Sequence, residues 1–136
     1  MYALSMYDEY INDILTGKKP CDVRLYPTDK RGKIALLKTG TDQIYGYVIL
    51  SSVLKISYED YVYWHISDKY TYLDASNDIK TNYQSEDRKE FAYMYVLEKP
   101  VLFSAPKRIK IIDKDGPWIR FNENEIQCGY EQQTLF

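Results

Sequence analysis

Short runs in which apolar and polar residues alternate, separated by turn residues, recur along most of this chain, whereas one segment alone carries a strong helical period. That imbalance limits the fold more than any other feature. The alternating runs are Cys21 to Tyr26, Lys33 to Lys38, Tyr45 to Val53, Phe91 to Leu97, Arg108 to Ile112 and Trp118 to Phe121. A period of two puts successive side chains on opposite faces of a strand, so Cys21, Val23 and Leu25 face inward while Asp22 and Arg24 share the outward face. In Phe91 to Leu97 both phases are apolar or aromatic, as in a central strand covered on both sides. Pro100 and Pro106 punctuate the stretch after it, and Asp115-Gly116-Pro117 marks a turn. The strands do not alternate with helices, so a parallel sheet of βαβ units is disfavoured. The pattern predicts an α+β domain, a small curled sheet or barrel of about six strands.

The helical segment is N-terminal. Tyr7, Tyr10, Ile11, Ile14 and Leu15 follow the spacing of one helix face, Ser5 and Asp8 resemble a capping box, and Gly17 can end the helix in a left-handed conformation. Pro20 forbids its continuation. Gly40, Thr41 and Asp42 suit a hairpin-like connection, and Ser57 with Glu59 and Asp60 reads as the start of a second, short helix through Tyr61, Trp64 and His65. One or two short helices therefore accompany the N-terminal one. His65 is the lone histidine, which rules out His-pair catalysis within one chain, and beside Trp64 it reads as a structural residue.

With 136 residues, 45% of them hydrophobic, the chain can build one core without staples, and a single domain over 1–125 is expected. Residues 57–90 read as a variable insertion able to lie over a cleft, and 126–136 as a C-terminal tail. No apolar run approaches the roughly 20 residues of a membrane span and no secretory pattern opens the chain, so a cytoplasmic protein with no membrane association is expected. Cys21 and Cys128 make no metal-spacing motif, and no carboxylate loop singles out a metal, so neither metal nor cofactor is expected. The net charge of −2 conceals blocks: Lys18 to Lys38 carries +5, Lys99 to Lys114 +4, and Ser57 to Glu90 −4. Two basic blocks brought together would make a positive face on an acidic protein; set apart, they are solvated strand edges and loops. Fifteen tyrosines add rings that bury one face and keep a hydroxyl for solvent or ligand.

A helix ending in Ile14-Leu15-Thr16-Gly17-Lys18-Lys19 and running into Cys21-Asp22-Val23-Arg24 resembles the GxKxxExR signature of the ASCH domain family, a branch of the PUA-like superfamily. Gly17, Lys19 and Arg24 match, and Asp22 stands where the family usually has glutamate. The likeness continues through Gly32 to Leu36, Tyr45 to Val48, Tyr95 to Pro100 and Pro117-Trp118, with a poor match across Ser57 to Glu90. The resemblance implies a PUA-like β-barrel with a cleft for RNA or a nucleobase, as in RNA-binding proteins and in some ribonucleases and modified-nucleoside hydrolases. The side chains fit that use. Lys19 and Arg24 can contact phosphate, Asp22 can fix Arg24 or hydrogen-bond a base edge, and Tyr26, Tyr45 and Tyr47 can stack on bases. The bland alternative is a surface pair of Asp22 and Arg24 along one strand.

RNA or single-stranded nucleic acid is thus the expected partner, at Lys19, Asp22, Arg24, Tyr26 and Tyr45. If the protein is an enzyme, the resemblance implies a metal-independent hydrolase of RNA or a modified nucleoside with Lys19 as the catalytic group. In the family's hydrolases of acetylated cytidine, however, a threonine occupies the place of Asp22, and aspartate offers no such hydroxyl nucleophile. A third class of reading comes from the tail. Gln132-Gln133-Thr134-Leu135-Phe136 resembles the peptide by which bacterial DNA-processing proteins dock on the sliding clamp, with Gln132, Leu135 and Phe136 as anchors; self-packing of Leu135 and Phe136 is the alternative. A phage-type inhibitor of a nucleic-acid enzyme, with acidic patches mimicking nucleic acid, completes the set.

Overall fold

Nearly every alternating run becomes a strand. The computed structural model describes residues 1–66 and 90–126, the side chains of 64–66 excepted. Among them lie seven strands and two helices: β1 (Tyr2–Met6), α1 (Asp8–Leu15), β2 (Cys21–Arg24), β3 (Gly32–Lys38), β4 (Gln43–Ser57), α2 (Tyr58–Ile66), β5 (Phe91–Arg108), β6 (Ile111–Asp115) and β7 (Trp118–Phe121). The strands hydrogen-bond in the order β2-β5-β4-β3-β1-β7-β6. The α+β class is therefore as expected, but among the described residues the strands number seven, in a sheet with β2 and β6 at its ends, where a barrel of about six was expected.

The described residues divide into two compact units, with β4 and β5 contributing to both. The first comprises residues 1–20, 31–50 and 97 onward. Its unforeseen element is β1, which runs parallel to β3 (Ala3 opposite Ala35, Met6 opposite Lys38) and antiparallel to β7 (Leu4 opposite Trp118). Ser5 lies in this strand, so the expected capping box does not form. The N-cap of α1 is Tyr7, with no side-chain hydrogen bond, and Asp8 and Glu9 in the first turn complement the helix dipole instead. Ala3, Ala35, Leu37, Ile44, Ile109, Ile119 and Phe121 form one buried cluster. Ile34 and Leu36 alternate with Ala35 and Leu37, so they occupy the opposite face of β3, the one against which α1 packs through Ile11, Ile14 and Leu15. Burying three such side chains contributes about 1.5–3 kcal/mol each.

A bulge lets one strand serve both faces. Leu36 is opposite Gly46 and Leu37 opposite Ile44, so Tyr45 is skipped in the register. Ile44 therefore joins the Leu37 cluster although Gly46, two residues on, faces α1. A Cβ on Gly46 would lie 2.8 and 2.9 Å from the two δ-carbons of Leu15 and would collide with the Val101 carbonyl oxygen. No larger residue fits there.

The second unit comprises residues 21–30 and 51–96. β2 pairs antiparallel with β5 over Cys21 to Arg24 and Tyr93 to Val96. α2 packs on β2, where Val23, Tyr61, Val62 and Ala92 form its core. The start of this helix is as expected, since the Ser57 hydroxyl accepts the Asp60 N–H at 3.2 Å. His65 lies in α2 with its side chain outside the described residues, as do most of the expected insertion and the tail anchors Gln132, Leu135 and Phe136.

The expected break at Pro100 and Pro106 does not occur, because β5 passes through both. β2 pairs with β5 between Tyr93 and Val96, ahead of both prolines. Lys99, with φ of 50°, marks the irregularity just before Pro100. The expected strand from Arg108 to Ile112 is split between the end of β5 and the start of β6. No helix of the described residues is long and apolar enough to cross a membrane.

Candidate nucleic-acid interface

The turn after α1 sets the position of Lys19. Gly17 adopts φ of 82°, and its N–H donates to the Ile14 carbonyl at 3.1 Å. The chain then reverses, and the Lys19 N–H donates to the Asp13 carbonyl at 3.0 Å. Pro20 closes the turn through its carbonyl, which accepts the Leu97 N–H at 2.9 Å. The glycine of the signature thus supplies the left-handed residue, and the lysine two positions later is fixed by its own backbone. Its side chain is not displayed to solvent. Lys19 is 9% exposed, the one buried charged residue among those described, with Nζ 5.7 Å from the centre of the Tyr10 ring.

Asp22 and Arg24 stand on the outward face of β2, as the alternation requires. Arg24 Nε donates to Asp22 Oδ2 at 2.6 Å, and the side chains are 22% and 15% exposed for Arg24 and Asp22 respectively. A charge-assisted bond so sheltered is stronger than a solvent-exposed pair, and it holds the guanidinium plane in one orientation. Asp22 is opposite Tyr95, and Arg24 is opposite Tyr93, in the β2–β5 ladder. Buried Tyr95 reaches beyond the strand and donates its hydroxyl to the Tyr26 carbonyl at 2.7 Å, which pins the chain where β2 ends and leaves the Tyr26 ring exposed.

Of the residues expected in the site, Asp22, Arg24 and Tyr26 therefore belong to the second unit, with the first two in direct contact. Lys19 and Tyr45 belong to the first. Tyr45 is the bulged residue, half-buried, and donates to Gln43 Oε1 at 3.4 Å. Tyr95 is a supporting residue that sequence reasoning misses, its place in the alternation of residues 91–97 being its one signal. No group of three or more metal-binding side chains occurs among the described residues.

The ASCH domain model matches residues 4–101. Among solved structures, the ASCH protein from Zymomonas mobilis is similar to this chain at 12% identity and a TM-score of 0.56, covering 98% of this chain and 94% of its own. Two single-substitution variants of that protein give 13% identity with a TM-score of 0.59 and 16% with 0.57, again over 98% of this chain and 96% and 92% of theirs. No curated protein matches in sequence. At such identities the solved structures speak for the fold alone, and the family match, spanning the helix end, the Gly17 turn and the Asp22–Arg24 strand, supplies the rest: the chain belongs to the ASCH domain family.

Proposed function

We propose that the protein binds RNA or another single-stranded nucleic acid, with Arg24 as the principal phosphate or base contact. The observation that carries this reading is the 2.6 Å bond between Arg24 and Asp22. It orders a long side chain before any ligand arrives, so less rotamer freedom is lost on binding, and a planar guanidinium suits the two oxygens of a phosphate. The exposed ring of Tyr26, two residues on, is a stacking surface of the kind single-stranded ligands use. The half-buried Tyr45 ring is a weaker candidate for the same role. Lys19, being buried, acts through local charge and through the turn it anchors rather than as a mobile surface cation.

Salt-dependent binding of short RNA and DNA oligomers, followed by fluorescence anisotropy, tests the proposal. The Arg24→Ala variant and the Lys19→Ala/Arg24→Ala double variant should bind roughly tenfold or more weakly, with a shallower salt slope. Unchanged binding by the double variant would end it.

The burial of Lys19 favours a second reading, a metal-independent hydrolase of RNA or a modified nucleoside with Lys19 as the catalytic group. Its position is fixed by the Lys19 N–H donating to the Asp13 carbonyl. Steady conversion of an RNA oligomer or an acylated nucleoside, abolished in Lys19→Arg, would establish an enzyme; tight binding without turnover would leave a binding module.

A further inference from the structure

The first unit carries an array of two rings and two lysines drawn from three adjacent strands. Tyr47 on β4 and Phe103 on β5 meet edge to face, with centroids 4.8 Å apart at 82°. Lys33 of β3 places Nζ 4.1 Å from the centre of the Tyr47 ring, and Lys107 of β5 places its own 4.4 Å from that of Phe103. Both rings are half-buried at the margin of the cluster around Ala35 and Leu37, which fixes them from below. The register explains the assembly, since Tyr47 is opposite Ala35 and Lys33 lies two residues from Ala35 on the same face of β3.

The two lysines differ from the ion-paired cations of this unit. Lys38 pairs with Asp8, Arg108 with Asp42 and Arg120 with Asp113, whereas among the described residues neither Lys33 nor Lys107 has a carboxylate partner. Each ammonium rests on a ring instead, a contact that is weak at an exposed site and readily exchanged. Glu123, in the short helical turn Glu123–Glu125, acts on Tyr47, where it reinforces the effect of burial in holding the hydroxyl protonated. Two cations with no ion-pair partner among the described residues, beside two fixed rings, match the alternation of phosphate and base along a single strand.

We infer that Lys33, Tyr47, Phe103 and Lys107 form a second contact site for single-stranded nucleic acid, at which a base stacks on the ring pair and the lysines leave the rings for the flanking phosphates. This rests on the proposed ligand class, and it assigns part of the binding to a surface that contains none of Lys19, Asp22 and Arg24. Stacking is tolerant of sequence because every base has a π-face, so this site adds affinity with little discrimination among bases.

The test uses fluorescein-labelled oligouridylate and an abasic oligomer with the same number of phosphates. Tyr47→Leu and Phe103→Leu, which fill the space without a ring, should each weaken oligouridylate binding by about tenfold and leave abasic binding unchanged, with Tyr47→Trp restoring it. Lys33→Ala/Lys107→Ala should weaken both ligands and lower the salt slope by roughly 1.4, about 0.7 per phosphate on a single strand. In the unmodified protein, photocrosslinking to an oligomer containing 5-iodouridine should label peptides bearing Tyr47 or Phe103, a readout independent of any variant's folding. Crosslinks confined to other peptides, or leucine variants that stay folded and bind like wild type while Arg24→Ala fails, would overturn this inference and leave the Arg24 proposal standing. Absence of oligomer binding by the wild type would sink both.

Discussion

At the scale of single residues, the two ionic features with clear physical signatures lead in opposite directions. Burial, reinforced by the Glu123 carboxylate, raises the Tyr47 hydroxyl above its ordinary pKa of about 10. The folded state thus favours the protonated phenol. Its contribution to stability is complete below the ordinary tyrosine pKa and is lost as pH rises through the higher folded value. Above about pH 10, Tyr47→Phe should therefore lose stability less steeply than wild type in urea melts taken at a series of pH values; parallel curves would show that Tyr47 titrates normally. Asp113 is the converse case. Its hydrogen bond from Arg120, with the attraction of that charge, holds the carboxyl below its usual range, so any contribution is present above that range and fades as pH falls through the lowered value. Both partners lie open to solvent, where salt screens them. The facing of Asp22 and Arg24 was legible in the sequence because a period of two dictates it. The burial of Lys19 was not, because it depends on how the Gly17 turn redirects the chain and on where Tyr10 stands, and neither leaves a periodic trace.

At the scale of elements, the junction of α1 with β4 is the least forgiving. Gly46→Ala drives a methyl group into the Leu15 side chain and the Val101 carbonyl, and a backbone oxygen cannot turn aside as a flexible side chain can. The variant should be destabilised by about 1–3 kcal/mol, read as a lower urea midpoint with an unchanged slope. An unshifted midpoint would mean that α1 moves away at no cost. The second and third strands, the Gly17 end of the first helix and the Ser57 start of the second could all be read from spacing, since each has a local cause. β1 could not. Tyr2-Ala3-Leu4-Ser5-Met6 is a short strand between two others, buried at Ala3, Leu4 and Met6, and five such residues ahead of a helical period read as its lead-in. The bulge at Tyr45 was equally silent, because it is a property of two strands in register and not of either alone.

At the scale of the whole molecule, β1 joins what the rest of the chain cannot. It lies between β3 and β7, so removing residues 1–7 takes away both ladders and three buried side chains. The shortened chain should lose its cooperative thermal transition and its near-ultraviolet circular dichroism; a sharp transition would show that β3 and β7 close on each other. The route of the chain has a further result. It passes from one compact unit to the other four times, after residues 20, 30, 50 and 96. Neither unit is a continuous stretch of sequence, so no single crossover between genes can exchange one for another and leave both whole. Descendants of this chain can acquire new specificity by substitution, or by replacing a connection between strands, but the two units are inherited together.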